Sequence, residues 1–188
     1  FVNYPASVYQ AHNRNFDVVC DSCGNVYFAN FEGILHYDYS RWETIYTPGF
    51  SRVTRLFRDS EGRIWVGGYN VFGRIERDGR GCITLRTLLS DLDTNFLGEL
   101  EDMAEIDKRI YLKATSGGYY TVQSDSILAP VQVLPAQLQE RWRNQSSVSM
   151  NRAFSLPGGE TISINSAHGL IMDDSGKKER FSVTERNG

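Results

Sequence analysis

Residues 59–66 read Asp59-Ser60-Glu61-Gly62-Arg63-Ile64-Trp65-Val66, and residues 21–28 read Asp21-Ser22-Cys23-Gly24-Asn25-Val26-Tyr27-Phe28. Each stretch has an Asp, a Gly three residues later, and then a run of aromatic and β-branched residues. An Asp opening such a turn can accept hydrogen bonds from backbone N–H groups two residues on, and the Gly supplies a positive-φ position. The run beyond has strand composition. Working outward, a second Gly follows each copy, at Gly33 and Gly73. Two fainter copies occupy 108–122 and 159–172, the third without the leading Gly and the fourth with Pro157-Gly158-Gly159 in place of the turn. A degenerate repeat of roughly 40 residues made of strands and turns is the mark of β-propeller blades.

Each copy is preceded by a strand-like stretch (16–20, 53–58, 103–106, 153–156) and followed by a third and a fourth strand. The fourth strands are expected at Trp42–Tyr46, Ile83–Thr87, Pro130–Leu134 and Arg180–Thr184. The fold expected is therefore all-β, a single incomplete propeller over 1–188. It would comprise about four four-stranded antiparallel blades near 13–47, 50–90, 98–135 and 146–186. Helical patterning is confined to 135–143, with a weaker stretch at 88–93. A ring of six to eight blades needs roughly 250–350 residues at this period. The 188-residue chain is thus expected to be an open arc. Exposed end blades would favour self-association.

A net charge of -3 and a pI near 5.6 carry no electrostatic footprint for nucleic acid. No apolar run approaches the ~18 residues that span a bilayer. The start at Phe1 and the end at Arg186-Asn187-Gly188 are those expected of a piece cut from something longer. Cys20-Asp21-Ser22-Cys23 has the spacing of a redox pair or half a zinc site, but it sits in a β-turn, and only Cys82, His12, His36 and His168 could complete a metal set. It reads as two turn residues, with a strained disulfide as the alternative. No metal and no cofactor are expected.

No Gly-rich phosphate loop, nucleophile elbow or His-Glu-x-x-His occurs. Glu101-Asp102 and Asp173-Asp174 read as solvated turns. The repeated turn is similar to the Asp-box of sialidase-type propellers, where such turns are structural. A glycosidase of that kind would also need an arginine cluster and a Tyr nucleophile backed by a Glu, and nothing aligns them here. No catalytic residues are assigned, and the segment is read as a non-enzyme. Asp21, Gly24, Asp59 and Gly62 are assigned to structural turns. With strands lettered A to D from axis to rim, the candidate ligand-binding residues lie in B–C loops: Phe31, Glu32, Tyr69, Asn70 and His168. Their bland alternative is that they merely close the loops.

Residues 3–17, 24–38, Trp42, 59–68 and Phe72-Gly73 resemble the start of the sensor region of the two-component regulator propeller proteins of Bacteroidetes, which also carry a triple-tyrosine domain. That resemblance implies a periplasmic propeller at the N-terminal end of a membrane-spanning regulator. A triple-tyrosine domain, one membrane helix and a histidine kinase or LuxR-type output domain would follow. It also implies a ligand, a glycan or related small molecule, sensed by the ectodomain. A fragment of a polysaccharide-active propeller enzyme and a purely structural scaffold are the competing readings.

Overall fold

The computed structural model describes residues 4–88, 97–123, 126–128, 131–144, 152–155, 161–165, 169–174 and 177–181. Among the described residues sixteen strands form four antiparallel four-stranded sheets, each with its strands in chain order. The chain is an all-β partial propeller apart from short helices. It divides into two compact units, Phe1–Pro135 and Ala136–Gly188.

The first unit holds three blades. Blade 1 is β1 (Asn15–Cys20), β2 (Val26–Asn30), β3 (Gly33–Tyr37) and β4 (Trp42–Ile45). Blade 2 is β5 (Val53–Arg58), β6 (Ile64–Gly68), β7 (Val71–Arg77) and β8 (Ile83–Thr87). Blade 3 is β9 (Leu100–Ile106), β10 (Arg109–Ala114), β11 (Tyr119–Gln123) and β12 (Ser126–Leu128). A short helix α1 (Ala6–Tyr9) and a 3-10 turn at Pro48–Phe50 precede blades 1 and 2. The second unit holds α2 (Ala136–Asn144), which buries Leu138 and Trp142. It also holds β13 (Arg152–Ser155), β14 (Thr161–Asn165), β15 (Gly169–Asp174) and β16 (Lys177–Phe181).

Strand side chains alternate faces, so a blade with neighbours on both sides is apolar on both. Blade 2 shows this directly: the five residues of β6 are all buried. Ile64 and Val66 join Tyr27, Ala29, Ile34 and Ile45 of blade 1 in one core, with Val53 and Leu56. Trp65, between them in sequence, faces the other way and packs with Leu100, Met103, Ile110 and Leu112 of blade 3. Its ring stacks on Phe72 at 5.5 Å and 8°. The aromatic three residues beyond the turn Gly thus plugs the gap to the next blade, Tyr27 toward blade 2 and Trp65 toward blade 3. Such interfaces carry the stability of a repeat architecture, because no blade buries its faces alone.

Gly73 permits a close approach: a Cβ there would run into the carbonyl of Arg86 on β8. The outer face of blade 1 is not left bare. Tyr4 and Tyr9 of the N-terminal segment lie on Trp42 at 5.3 and 5.5 Å, and Trp42 stacks on Tyr37 at 4.2 Å.

Two fourth strands differ from expectation. In blade 3 the partner of β11 is Ser126–Leu128, paired as Thr121↔Leu128 and Gln123↔Ser126, and not Pro130–Leu134. Of the expected stretch, Val131 still donates its N–H to the Tyr119 carbonyl of β11 at 2.7 Å, but residues 131–134 form no strand and Pro130 lies outside the described residues. In the last blade β16 starts at Lys177, opposite Asp174, three residues earlier than Arg180. Ser175-Gly176 is the hairpin signal that marks this spacing. The expected stretch 182–184 and the helical stretch 89–93 lie outside the described residues, while Leu88 is in a bend.

Candidate functional site

The B–C and D–A connections emerge from the same ends of neighbouring blades. In blade 2 the B–C loop is two residues, Tyr69 and Asn70, the latter at φ 50. Asn70 is tied to blade 3: its N–H donates to the Gly98 carbonyl at 2.8 Å, and its Oδ1 accepts from the Gly98 N–H at 3.0 Å. Tyr69 is half exposed and bridges to Glu99. Arg52 lies over its ring at 5.2 Å and grips Glu99 with two bonds of 3.1 and 3.2 Å. The Glu99 carboxylate holds the Arg52 guanidinium above its ordinary value.

In blade 1 the corresponding loop is Phe31 and Glu32. The Glu32 carboxylate accepts the His12 N–H at 3.1 Å, and Phe31 lies against the His12 ring at 4.6 Å. Buried Asn30 anchors the loop, donating to the His12 carbonyl at 2.6 Å and accepting the Glu32 N–H at 3.0 Å. So the polar candidates, Glu32 and Asn70, are engaged in closing loops, while Phe31 and Tyr69 keep exposed ring surface. His168 lies outside the described residues.

Sequence reasoning passed over two neighbours on this face. Tyr46 and Phe50, in the connection from blade 1 to blade 2, are 55% and 73% exposed and meet edge to face at 5.4 Å. Pro48-Gly49, a turn signal with an aromatic close on either side, was the cue. The connection links the two loops, since Gly33 abuts Ile45 and Tyr46 while Arg52 donates its ring contact to Tyr69. Four partly exposed aromatic side chains therefore lie in connections at the same ends of blades 1 and 2, and exposed rings suit the apolar faces of ring-shaped ligands.

The opposite ends carry the A–B and C–D turns. Asp59 Oδ1 accepts the N–H groups of Glu61 and Arg63 at 3.0 and 2.8 Å. Its Oδ2 accepts Arg63 Nε at 2.6 Å and the indole Nε1 of Trp65 at 2.8 Å. Asp21 repeats the pattern with Cys23 and Asn25 N–H at 2.8 and 2.9 Å, and a longer 3.4 Å contact from the Tyr27 hydroxyl. Gly62 sits at φ 83 and Gly24 at φ 90, where a Cβ is strained. Burial pushes both carboxyls up, but the hydrogen bonds outweigh it and leave each below the ordinary carboxylate range. Burial and the Asp21 charge push the Tyr27 phenol up to about 12. Asp78-Gly79-Arg80-Gly81 builds the same turn between β7 and β8, with Asp78 Oδ1 accepting from Arg80 and Cys82 N–H at 2.8 and 2.9 Å. Its spacing matches the quoted motif, so the signal was present.

Between blades 1 and 2 these turns frame a polar cleft of about 220 Å³, lined among others by His36, Asp38, Arg41, Glu43, Arg77 and Cys82. The three cysteines are free and exposed, so Cys20 and Cys23 form no disulfide. Among the described residues no group of three or more His, Cys, Asp or Glu side chains could hold a metal ion. Among them, too, no helix is long and apolar enough to cross a membrane.

The family model described as two component regulator propeller matches residues 48–70. That stretch runs from the 3-10 turn through β5, the Asp59 turn and β6 to Tyr69 and Asn70. No curated protein sequence matches the chain. Among solved structures, the extracellular domain of the hybrid two component system BT3049 from B. thetaiotaomicron is 16% identical, with a TM-score of 0.45 over 88% of this chain and 22% of that one. The extracellular domain of the one component system BT4673 from the same organism is 17% identical, with a TM-score of 0.45 over 93% of this chain and 22% of that one. Virginiamycin B lyase from Staphylococcus aureus is 11% identical, with a TM-score of 0.47 over 92% of this chain and 56% of that one. The chain spans 22% of the length of the first two. Residues 48–70 thus match the two component regulator propeller model, and the chain that carries them is a partial propeller.

Proposed function

We propose that this segment is part of the periplasmic ligand-sensing ectodomain of a membrane-spanning regulator of the two-component or LuxR type. The observation that carries the reading is the regulator propeller repeat at 48–70, which ends on the loop face at Tyr69 and Asn70. Ligand binds there, on Phe31, Tyr46, Phe50 and Tyr69, and its ring faces stack on theirs. A glycan or a fragment of one fits such a platform. Binding favours one of two arrangements of the ectodomain, and that bias passes to the output domain. The remaining blades, a triple-tyrosine domain and the end blades of a second copy are its partners in this reading.

A screen of oligosaccharides by thermal shift, on this chain and on one extended at its C-terminal end, tests the proposal. The expected result is a ligand that raises the melting temperature of the wild type and no longer does so in Tyr69→Ala or Phe50→Ala. A ligand that binds both variants as well as the wild type would move the site elsewhere. No binding by the extended chain would overturn the sensing role.

A further inference from the structure

We propose that the cleft between blades 1 and 2, at the turn ends, is a binding site for a neutral, hydroxyl-rich ligand of single-ring size. It is distinct from the aromatic loop face and does not depend on it. The first observation is His36. Its residue is 2% exposed, it lines the cleft, and neither ring nitrogen has a hydrogen-bond partner. A buried imidazole in that state is costly, and native structures seldom leave one so. The nearest acceptor, Glu43 Oε2, stands 3.9 Å from His36 Nδ1, beyond hydrogen-bond length. A hydroxyl seated against both atoms would bridge that gap, accepting from the ring N–H while donating its one proton to the carboxylate.

The second observation is how the cleft is assembled. Tyr27, His36 and Glu43 are direct cross-strand partners, so they form one row on the face of blade 1. The Tyr27 ring lies against His36 at 4.8 Å, tilted by 36°, and packs the imidazole from one side. Arg77 of blade 2 faces the row and gives one N–H to the Gly81 carbonyl at 3.2 Å. Arg41 stands at the mouth, 72% exposed, in a 3.4 Å ion pair with Asp38. Burial outweighs the pull of Asp38 and Glu43 and holds His36 below its ordinary value, which favours the neutral imidazole at pH 7.

The chemistry of the ligand follows from the lining. Two guanidinium groups face two carboxylates, so the cleft has no net charge to attract a free anion or cation. The donors and acceptors instead alternate: Arg77 only donates, Glu43 only accepts, and neutral His36 does one of each. A hydroxyl is the group that serves all three. At about 220 Å³ the cleft falls below the size of pockets for drug-sized ligands and accepts one ring, not a chain.

The test is a titration of the 188-residue chain with glucose, galactose and myo-inositol, followed through the ring nitrogens of His36 by NMR, with sulfate and glycine alongside. A neutral polyol is expected to move the His36 resonances. Arg77→Met and Glu43→Gln, at the accessible rim, are each expected to weaken it by roughly tenfold, the loss of one hydrogen bond to a charged partner. Tyr69→Ala, which disables the loop face, should leave the response intact. A response to sulfate or glycine alone, no response to any polyol, equal affinity in the rim variants, or loss in Tyr69→Ala would each overturn the proposal.

Discussion

The Asp59 turn of blade 2 and the Asp107-Lys108 turn of blade 3 join the same two strands by opposite means. In blade 2 five residues separate Arg58 from its partner Ile64, and a carboxylate at their centre collects four hydrogen bonds. In blade 3 Ile106 pairs with Arg109 across two residues, Asp107 at φ 49 and Lys108 at φ 61. Both central residues are left-handed, the geometry that two-residue hairpins favour and that Asn-Gly would relax. The strands pair equally well after either turn. What the longer turn adds is a grip on Trp65, whose indole N–H would otherwise be buried without an acceptor. The recurring grammar of the turn is therefore about fixing an aromatic plug between blades more than about reversing the chain.

The strongest way to break this reading is Trp65→Ala. Emptying the interface between blades 2 and 3 should cost roughly 3–5 kcal/mol in urea unfolding followed by circular dichroism. A loss near zero would mean that the plug is dispensable. Next comes Asp59→Ala, which leaves the indole and two backbone donors unpaired and should cost about 3 kcal/mol. Asp21→Ala, where the aromatic contact is 3.4 Å and the turn more open, should cost only about 1 kcal/mol. Equal losses would remove the distinction between the two turns.

The acid limb gives a smaller effect. Because Asp59 is held below its ordinary value, the folded state binds fewer protons than the unfolded chain near pH 4. Its stabilisation is present above the unfolded value of about 3.9 and is lost as pH falls through the folded value. Asp59→Asn should flatten that slope, and an unchanged slope would place the acid sensitivity elsewhere. Smallest of all, Lys108→Gly should stabilise blade 3 by about 1 kcal/mol by relieving a left-handed lysine. Destabilisation would show that the Lys108 side chain is needed where it stands.

Much of the fold was legible because its signals are local. The Asp-x-x-Gly turn, the aromatic three residues on and the alternation of the strands all act within a dozen residues, and they mark blades 1 and 2 closely. The fourth strand of blade 3 was misplaced because Ser126-Ile127-Leu128 is short and weakly patterned, while Pro130–Leu134 looks more strand-like by composition. At the loop face, Phe31 and Tyr69 were read from residue type, but Tyr46 and Phe50 were hidden in a connection that sequence treats as filler.

The sequence by itself determined the repeat and the turn chemistry, since each depends on neighbours along the chain. Only the tertiary structure decided which polar groups are already engaged. Asn70 is bound to Gly98 and Glu32 to His12 by bonds between residues 28 and 20 positions apart. It alone brought His36 and Glu43 of one blade against Arg77 and Cys82 of the next. That cleft has no signature in the chain, because it exists only where two blades twist past one another.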